Sequence, residues 1–220
     1  MISVILATFN RKETLLKSIN SVLKQTFKDF ELIIVDDAST VDTKNLLRSV
    51  LNADQRVKYY KLNHNKGPGL ARNYGVSKAK YQNLSFIDSD DEYTADHLEK
   101  VIDLFENGHD LILSTKDVIG FPFNPGLESD SELIDMRDPD IVITGIISLT
   151  KPVFEQIGGF KDIRYGEDYE LFHAAKKICK KFARIEKPTY LYYANREDSL
   201  SQQYYHSLVT QEEVKVPTVI

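Results

Sequence analysis

The feature that most constrains the fold is the alternation of short apolar runs with amphipathic segments over the first half of the chain. The apolar, β-branched runs lie at residues 2–7, 30–35, 57–62 and 84–87. Apolar residues at helical spacing occupy residues 12–24, 43–51 and 70–76. Strands that alternate with helices in this way predict a parallel sheet covered by helices, an α/β sandwich.

The second half of the chain has a less regular pattern. A fifth strand is predicted at residues 110–114, and residues 115–139 then hold prolines, aromatic residues and acids without a clear period. A stretch this long without an element is typical of a functional or mobile loop. The later elements are predicted at residues 141–149, 167–182 (a helix), 182–185 and 190–193.

We expect a single domain in two halves. Residues 1–114 form the first α/β half, residues 115–201 form the second half, and residues 202–220 form a C-terminal tail. The tail carries no strong pattern of its own, which is common at chain ends.

Charge and cysteine content limit the class of protein. The formal net charge of −5 argues against a nucleic-acid binder, which normally carries a basic surplus. The single cysteine, Cys179, excludes an internal disulfide and fits a reducing compartment. The first residues lack the basic region of a signal peptide, and no run approaches the ~20 apolar residues that a membrane span needs. We therefore expect a cytoplasmic protein without a nucleic-acid partner.

Three acidic groups follow predicted strands or open a predicted helix. They are Asp36-Asp37, the group Asp88, Asp90 and Asp91, and Glu167-Asp168. The first two lie at the carboxyl ends of parallel strands, the edge where open α/β sheets bind ligands. A capped, solvated turn explains Asp36-Asp37 equally well and the second group less well, and the third can simply favour the dipole of its helix. Repulsion within the second group would be relieved by a hard divalent cation such as Mg²⁺ or Mn²⁺.

Two common phosphate-binding motifs are absent from the sequence. No Gly-x-Gly-x-x-Gly follows the first strand, and no P-loop motif is present. The phosphates of a ligand would then be held through a metal ion rather than by a glycine-rich loop. The sequence also lacks the cysteine and histidine clusters that zinc requires.

Six motifs follow one another in a specific order along residues 2–201. They are Val-Ile-Leu-Ala-Thr-Phe-Asn, Phe-Glu-Leu-Ile-Ile-Val-Asp-Asp-Ala-Ser-Thr, Asn-Lys-Gly-Pro-Gly-Leu-Ala-Arg-Asn-Tyr-Gly, Phe-Ile-Asp-Ser-Asp-Asp, Gly-Gly-Phe and Gly-Glu-Asp-Tyr-Glu-Leu. An Asp-x-Asp alone carries almost no weight, whereas the ordered set resembles the inverting glycosyltransferases of family two. The resemblance implies the GT-A fold, a Rossmann-like three-layer α/β/α sandwich with a mostly parallel central sheet.

The resemblance also implies two sets of residues around a nucleotide-sugar donor. The nucleotide pocket would be lined by Thr8, Phe9, Asn10 and Asp37. Phe9 would lie against the base, and Asp37 would contact the base, most plausibly uracil through its N3–H. The ribose and diphosphate side would be formed by Lys66, Arg72 and Asp88.

A metal ligand and a catalytic base complete the implied site. Asp90 would bind a Mn²⁺ or Mg²⁺ cofactor that bridges the diphosphate, and Asp91 is the alternative ligand. Asp168 resembles the catalytic base, with Glu167 beside it. Transfer with inversion is an in-line displacement with oxocarbenium character. It needs a carboxylate to take the acceptor proton and a cation to neutralise the leaving diphosphate.

One stretch departs from the family pattern, which often ends in Tyr-Arg-x-His-x-x-Ser. Here Ala194 stands at the arginine and Arg196 at the histidine. A charged arginine cannot ligate a metal but can contact a diphosphate, so we expect Arg196 on the nucleotide-sugar side. His206 is an alternative metal ligand, although a surface histidine is the simpler interpretation.

The sequence therefore predicts a metal-dependent inverting glycosyltransferase that uses a UDP-sugar and a glycan or lipid-linked acceptor in polysaccharide biosynthesis. Such an enzyme can associate peripherally with the inner face of a membrane. A receiver domain is one alternative, since it has an acidic pair after a strand and a Lys-Pro like Lys151-Pro152. A nucleotidyltransferase of similar fold is another, but residues 8–12 lack its glycine-rich loop. An inactive sugar-nucleotide-binding module is disfavoured by the joint presence of Asp90 and Asp168.

Overall fold

One mixed sheet of eight strands forms the centre of the structure, a computed structural model that describes residues 1–120, 140–163 and 165–194. The strands are β1 (Ile2–Thr8), β2 (Phe30–Asp36), β3 (Val57–Lys61), β4 (Asn83–Asp88), β5 (Glu92–Tyr93), β6 (Leu111–Ile119), β7 (Ile147–Thr150) and β8 (Phe182–Tyr193). Their order across the sheet is β3-β2-β1-β4-β7-β6-β8-β5. The neighbours among β1 to β4 pair in parallel, as do β6 and β8, whereas β7 is antiparallel to both its neighbours and β5 is antiparallel to β8.

Seven α-helices of the described residues surround this sheet. They are α1 (Leu15–Leu23), α2 (Thr43–Leu46), α3 (Arg48–Ala53), α4 (Pro68–Lys78), α5 (His97–Glu106), α6 (Lys151–Gln156) and α7 (Glu167–Ile178). The crossovers from β1 to β2 and from β2 to β3 step in one direction, and the crossover from β3 to β4 steps back past β1. Because such crossovers are right-handed, α1 to α3 and α4 lie on opposite faces of the sheet. The predicted three-layer arrangement is therefore confirmed.

Helix α4 lies unusually close to the sheet because it presents small residues to it. A Cβ on Gly75 would lie 2.6 Å from Cγ2 of Ile5 and 3.2 Å from Cγ2 of Val35. Ala71, one turn earlier, is fully buried. This close approach fixes the first turn of α4, which begins at Pro68, over the carboxyl edge of β1 and β2.

Burial of apolar faces explains the other helices and the sheet. Leu15, Ile19 and Val22 of α1 are fully buried, as the helical spacing predicts. Every residue of β2 is buried, which is typical of a strand covered on both faces. Within the described part of the chain, no helix combines the length and the apolar character that a membrane crossing requires.

Four elements differ from the sequence prediction. Strand β6 continues to Ile119, into the stretch that was expected to lack an element, and residues 121–139 lie outside the described residues. The two predicted late strands are one strand, β8, with an irregularity opposite Thr115, because Ser114 pairs with Ile185 and Lys116 with Tyr190. The helix predicted at 43–51 is two short helices that meet at Leu47.

The fourth difference is the end of α7, which comes at Ile178 rather than at residue 182. The chain turns there because the Asp110 carboxylate accepts the backbone N–H groups of Lys180 and Lys181, at 2.9 and 3.0 Å. These bonds direct the chain from α7 into β8.

The N-cap of α5 is Asp96, whose Oδ1 accepts the Thr94 hydroxyl at 2.7 Å. Thr94 therefore orients the residue at the helix start rather than capping the helix itself.

Candidate functional site

The candidate site lies at the carboxyl edge of β1, β2 and β4, where the strand order reverses. Thr8 stands opposite Asp36 on β2, and Ala7 stands opposite Asp88 on β4. The chain leaves β1 towards β2 and returns from β3 to β4 on the other side of β1. Ligands of open α/β sheets bind in the crevice at such a switch point. The structure thus brings the first two acidic groups to one edge, as the sequence predicts.

The two members of the Asp36-Asp37 pair have different surroundings. Asp36 is fully buried and accepts the hydroxyl hydrogen of Tyr59 at 2.7 Å. Asp37 accepts the backbone N–H groups of Lys66 and Gly67, each at 2.8 Å. Burial raises the pKa of the Asp37 carboxyl, and these two hydrogen bonds oppose the rise. Asp37 therefore ties the loop before α4 to the sheet edge, with the exposed Lys66 side chain beside it.

The end of β1 forms a sharply turned rim. Thr8 is 3% exposed, and its Oγ1 has no hydrogen-bond partner among the described residues. Phe9 is half-buried, and the next residue, Asn10, has a φ of 53°. The Asn10 side chain accepts the backbone N–H of Thr40 at 2.8 Å, and Ala38 has a φ of 63°. Left-handed backbone at non-glycine residues is costly, and such positions cluster at functional sites.

Two arginines neutralise the first two carboxylates of residues 88–91. Oδ1 of Asp88 lies 2.6 Å from Nη2 of Arg72, and Oδ2 of Asp90 lies 3.1 Å from Nη2 of Arg11. The Asp90 side chain keeps 19% of its surface exposed. The repulsion that the sequence suggests is therefore relieved by guanidinium groups, and Asp90 stays within reach of a ligand.

Asp91, by contrast, is part of the interior. It is 2% exposed, and its two carboxylate oxygens accept the Tyr190 hydroxyl at 2.8 Å and the Tyr193 backbone N–H at 2.9 Å. Burial, followed by the charges of Asp90 and Asp88, raises the pKa of Asp91 well above its usual value. This geometry favours Asp90 over Asp91 as the metal ligand.

The described residues contain no group of three or more His, Cys, Asp or Glu side chains arranged to hold a metal ion. Arg196 and His206 lie outside the described residues. The Asp90 and Asp88 side chains keep 19% and 23% of their surface exposed, and one or two such carboxylates suit a hard ion such as Mg²⁺, which keeps several waters and takes other ligands from substrate phosphates. The site therefore fits a divalent ion that binds together with a phosphorylated ligand, with Asp90 as its protein ligand.

The third acidic pair opens helix α7, directly after Gly166 with its φ of 78°. Asp168 is half-buried, and its Oδ1 accepts the backbone N–H of Tyr169 at 2.8 Å. Burial, followed by the charge of Glu167, raises the pKa of Asp168 to about 6, while Arg72 opposes the rise. A carboxylate of this kind binds a proton more strongly than an ordinary aspartate, yet it is mostly ionised at neutral pH, as a general base must be.

Glu167 is linked to the switch point through Arg72. Nη1 of Arg72 lies 3.0 Å from Oε1 of Glu167, and Nη2 of the same group contacts Asp88. Arg72 is 6% exposed. The structure thus joins three residues that the sequence placed in separate motifs.

Two further residues of the site were missed by the sequence reasoning, Arg11 and Tyr190. Arg11 stands in the residues 8–12 segment that was checked only for glycines, and nothing local indicates its contact with Asp90. Tyr190 is fully buried and reaches Asp91 across 99 positions of the chain. The tyrosine-rich sequence around it was the one available signal.

Comparisons with known protein sequences agree with these motifs. A family model described as Glycosyl transferase family 2 matches residues 3–158. The GalNAc(5)-diNAcBac-PP-undecaprenol beta-1,3-glucosyltransferase of Campylobacter jejuni is 30% identical over 208 residues, covering 91% of this chain and 67% of that protein. The succinoglycan biosynthesis protein ExoO of Rhizobium meliloti is 28% identical over 221 residues, covering 91% of this chain and 62% of that protein.

Comparisons with solved structures support the fold. S. aureus TarS 1–349 in complex with UDP-GlcNAc superposes with a TM-score of 0.75 at 20% identity, covering 96% of this chain and 65% of that chain. The mannosyltransferase PcManGT from Pyrobaculum calidifontis, in complex with GDP-Man and Mn²⁺, gives 0.71 at 17% identity, covering 95% and 61%. The predicted GT-A fold is confirmed. The chain spans between 61% and 67% of the length of these four proteins.

These findings decide between the classes that the sequence left open. The acidic pair of a receiver follows its first strand, whereas Asp36 ends the second strand here. Membership in a glycosyltransferase family also argues against the nucleotidyltransferase. Because the family model matches more than half of this chain, the chain belongs to glycosyl transferase family 2.

Proposed function

We propose that this chain transfers a sugar from a UDP-sugar to a glycan or lipid-linked acceptor, with inversion at the anomeric carbon and with Mn²⁺ or Mg²⁺ as cofactor. The observation that carries the proposal is the position of Asp168. This carboxylate has a raised pKa and follows Glu167, which Arg72 links to Asp88 at the switch point. A base of this strength beside a nucleotide-binding edge suits the activation of an acceptor hydroxyl.

The donor would bind along the carboxyl edge of β1, β2 and β4. Phe9 would contact the base, and Asp37 would accept N3–H of uracil in addition to its backbone hydrogen bonds. The buried Thr8 Oγ1 would gain a polar partner from the nucleotide, which removes the cost of leaving it unpaired. The neighbours solved with UDP-GlcNAc and with GDP-Man support a nucleotide-diphospho-sugar as the ligand class.

Asp90 would hold the divalent ion, with Lys66 and Arg196 on the diphosphate side. A bound ion would supply neutralisation of the charge that develops on the leaving diphosphate. Arg11 now pairs with Asp90, so the ion would compete with this guanidinium for the carboxylate.

Asp168 would accept the proton of the acceptor hydroxyl as that oxygen attacks the anomeric carbon. The proton would move to a carboxylate oxygen, and the bond from the sugar to the diphosphate would break on the opposite face. A pKa of about 6 brings the proton affinity of Asp168 closer to neutral pH, where general bases work best.

The acceptor class is inferred from relatives. The C. jejuni relative is named for an undecaprenol-linked glycan, and the R. meliloti relative for succinoglycan biosynthesis. We infer that this chain also extends a glycan, either free or lipid-linked, and that it works at the inner face of a membrane by peripheral association.

A donor screen tests this proposal. Thermal midpoints would be measured with UDP-sugars and GDP-sugars, each with Mn²⁺ and with EDTA, because a ligand of the folded state raises the midpoint by mass action. We expect a rise for one UDP-sugar only with Mn²⁺, and incorporation of that sugar into an acceptor fraction with inverted configuration by NMR. Equal shifts with EDTA would contradict the metal dependence, and retained configuration would contradict the inverting mechanism.

Phe9→Ala gives a matched pair with Phe27→Ala, since both rings are half-buried. Loss of stacking on a base typically costs about 1–3 kcal/mol, so Phe9→Ala should weaken UDP binding by about fivefold or more. Phe27 comes before the start of β2, whereas the candidate site lies at the carboxyl end of that strand. Phe27→Ala should therefore keep the affinity for UDP. Equal affinities for the two variants would remove Phe9 from the pocket.

A further inference from the structure

Helix α4 contacts three parts of the candidate site. At its start, Gly67 donates its backbone N–H to Asp37. One turn further on, Arg72 places Nη2 against Asp88 of β4 and Nη1 against Glu167 of α7. Helix α4 therefore connects three parts of the site. They are Asp37 on the nucleobase side of the donor pocket, strand β4, which precedes Asp90, and helix α7, which carries the proposed general base.

A second set of contacts fastens the segment before α7 to the same face of α4. The Asn73 side chain donates to the Phe160 carbonyl at 2.8 Å and accepts the Phe160 backbone N–H at 2.9 Å. A Cβ on Gly69 would lie 3.2 Å from Cβ of Phe160 and 3.4 Å from Cγ of Glu167. Gly69, Arg72 and Asn73 lie at i, i+3 and i+4, so they form one continuous docking face for this segment.

The charges around Asp168 are unevenly balanced. Burial, Glu167 and Asp88 all disfavour its ionised form, whereas the Tyr169 backbone N–H and Arg72 favour it. Burial alone would lower the pKa of Arg72, but Asp88 and Glu167 hold that pKa above its ordinary value. Arg72 therefore stays charged and supplies positive charge to this group of carboxylates.

We propose that Arg72 is a positioning residue, which holds α7 against β4 and so keeps Asp168 oriented and charged for proton transfer, rather than a ligand of the donor. This inference rests on the proposed function. The positioning role replaces the expected contact between Arg72 and the nucleotide or diphosphate. It also makes α4 the element that couples the donor side of the site to the general base, Asp168.

The geometry of the guanidinium group disfavours a donor contact. Its two terminal nitrogens each contact a carboxylate, at 2.6 and 3.0 Å, and Nε is buried without a hydrogen-bond partner in the described part of the chain. Arg72 is also only 6% exposed, so a diphosphate has little access to its remaining N–H groups unless Asp88 or Glu167 moves, and a moved carboxylate would lose its ion pair in a mostly buried position. Breaking one side of a buried pair is strongly unfavourable.

The pH profile of kcat tests this assignment, because its acid limb reports the base in the enzyme–substrate complex. Arg72→Met removes the positive charge, so the acid limb should move up by about 1 pH unit. Glu167→Gln removes a negative charge, so the limb should move down by a similar amount. Arg72→Lys should restore much of the wild-type limb. Lys78→Met removes a positive charge from the far end of the same helix and should leave the limb in place.

Donor affinity, measured by titration with the UDP-sugar and Mn²⁺, separates the two roles of Arg72. The positioning role is supported if the acid limb of the kcat profile moves in opposite directions in Arg72→Met and Glu167→Gln while the donor Kd changes less than threefold. A donor Kd for Arg72→Met that is raised tenfold or more, with the acid limb unchanged, would overturn the positioning role and restore the donor contact. If Arg72→Met does not fold, Glu167→Gln and Arg72→Lys still decide, with ¹³C NMR titration of the Asp168 carboxyl as the direct readout. A wild-type protein that transfers no sugar at any pH would contradict the proposed function instead.

Discussion

Replacing Asp168 with asparagine should stabilise the fold at neutral pH while it abolishes most of the proposed transfer. The folded pKa of Asp168 is about 6, above the ordinary value of 3.8. A carboxyl whose pKa is raised by folding contributes its full stability below pH 3.8, and that contribution is lost as the pH rises through about 6. Asparagine resembles the protonated form and keeps an oxygen that can accept the Tyr169 N–H, so the variant avoids this loss.

The size of the gain follows from the pKa difference. A change from 3.8 to about 6 is about 2 pKa units, which corresponds to at most about 3 kcal/mol at neutral pH. Asp168 is only half-buried, so solvent screening reduces this, and we expect about 1.5 kcal/mol. For a chain of 220 residues, this is a rise of about 3–6 °C in Tm. Loss of a general base should lower kcat by about 10²–10⁴-fold.

Urea unfolding at pH 7.5 and pH 4.5 would measure the gain, with donor binding measured in parallel. Glu170→Gln is the matched control, because Glu170 is an exposed carboxylate in the same first turn of α7. We expect Asp168→Asn to be more stable than the wild type at pH 7.5, to lose most of that advantage at pH 4.5, and to bind the donor normally. A gain independent of pH, or equal to that of Glu170→Gln, would refute the reasoning about Asp168.

Three further predictions follow from the switch-point residues. Asp90→Asn should weaken Mn²⁺-dependent donor binding at unchanged Tm. Asp91→Ala should instead cost about 1–3 kcal/mol in urea unfolding, because the Tyr190 hydroxyl and the Tyr193 N–H lose their acceptor; the reverse pattern would exchange the roles of Asp90 and Asp91. Arg11→Met removes a cation beside Asp90, so Mn²⁺ binding without donor, followed by EPR, should tighten at least threefold, and unchanged binding would contradict competition. Gly145→Ala places a Cβ 2.0 Å from the Tyr190 ring and should cost about 1–3 kcal/mol or more, whereas wild-type stability would show that Tyr190 can move.

The parallel half of the fold could be predicted from the sequence because its information is local. Each of its strands is a run of apolar residues that ends in polar ones, and each crossover helix buries a periodic face. The chain order of strands and helices then leaves few topologies, since crossovers are right-handed. The acidic groups at the strand ends were found for the same reason, because strand ends are visible in the sequence.

The rest of the fold depends on contacts between distant residues. Strand β5 has two residues and exists through its pairing with β8, about 100 positions later in the chain. Strand β8 contains Pro188, which cannot donate a ladder hydrogen bond, so the pattern resembles two strands with a break. The neutralising roles of Arg11 and Arg72 likewise depend on which carboxylates the fold brings beside them, and no spacing in the sequence encodes that.

The position of β8 has a consequence for how the site is completed during synthesis. The strands β1 to β4 can pair once residue 88 is available, because all their partners precede it. Asp91, however, receives its hydrogen bonds from Tyr190 and Tyr193, at the end of β8. Chains are made from the N-terminus and contacts between distant residues form late. In a nascent chain, the carboxyl edge of β1, β2 and β4 is therefore available roughly one hundred residues before Asp91, in the turn beside it, acquires its buried partners.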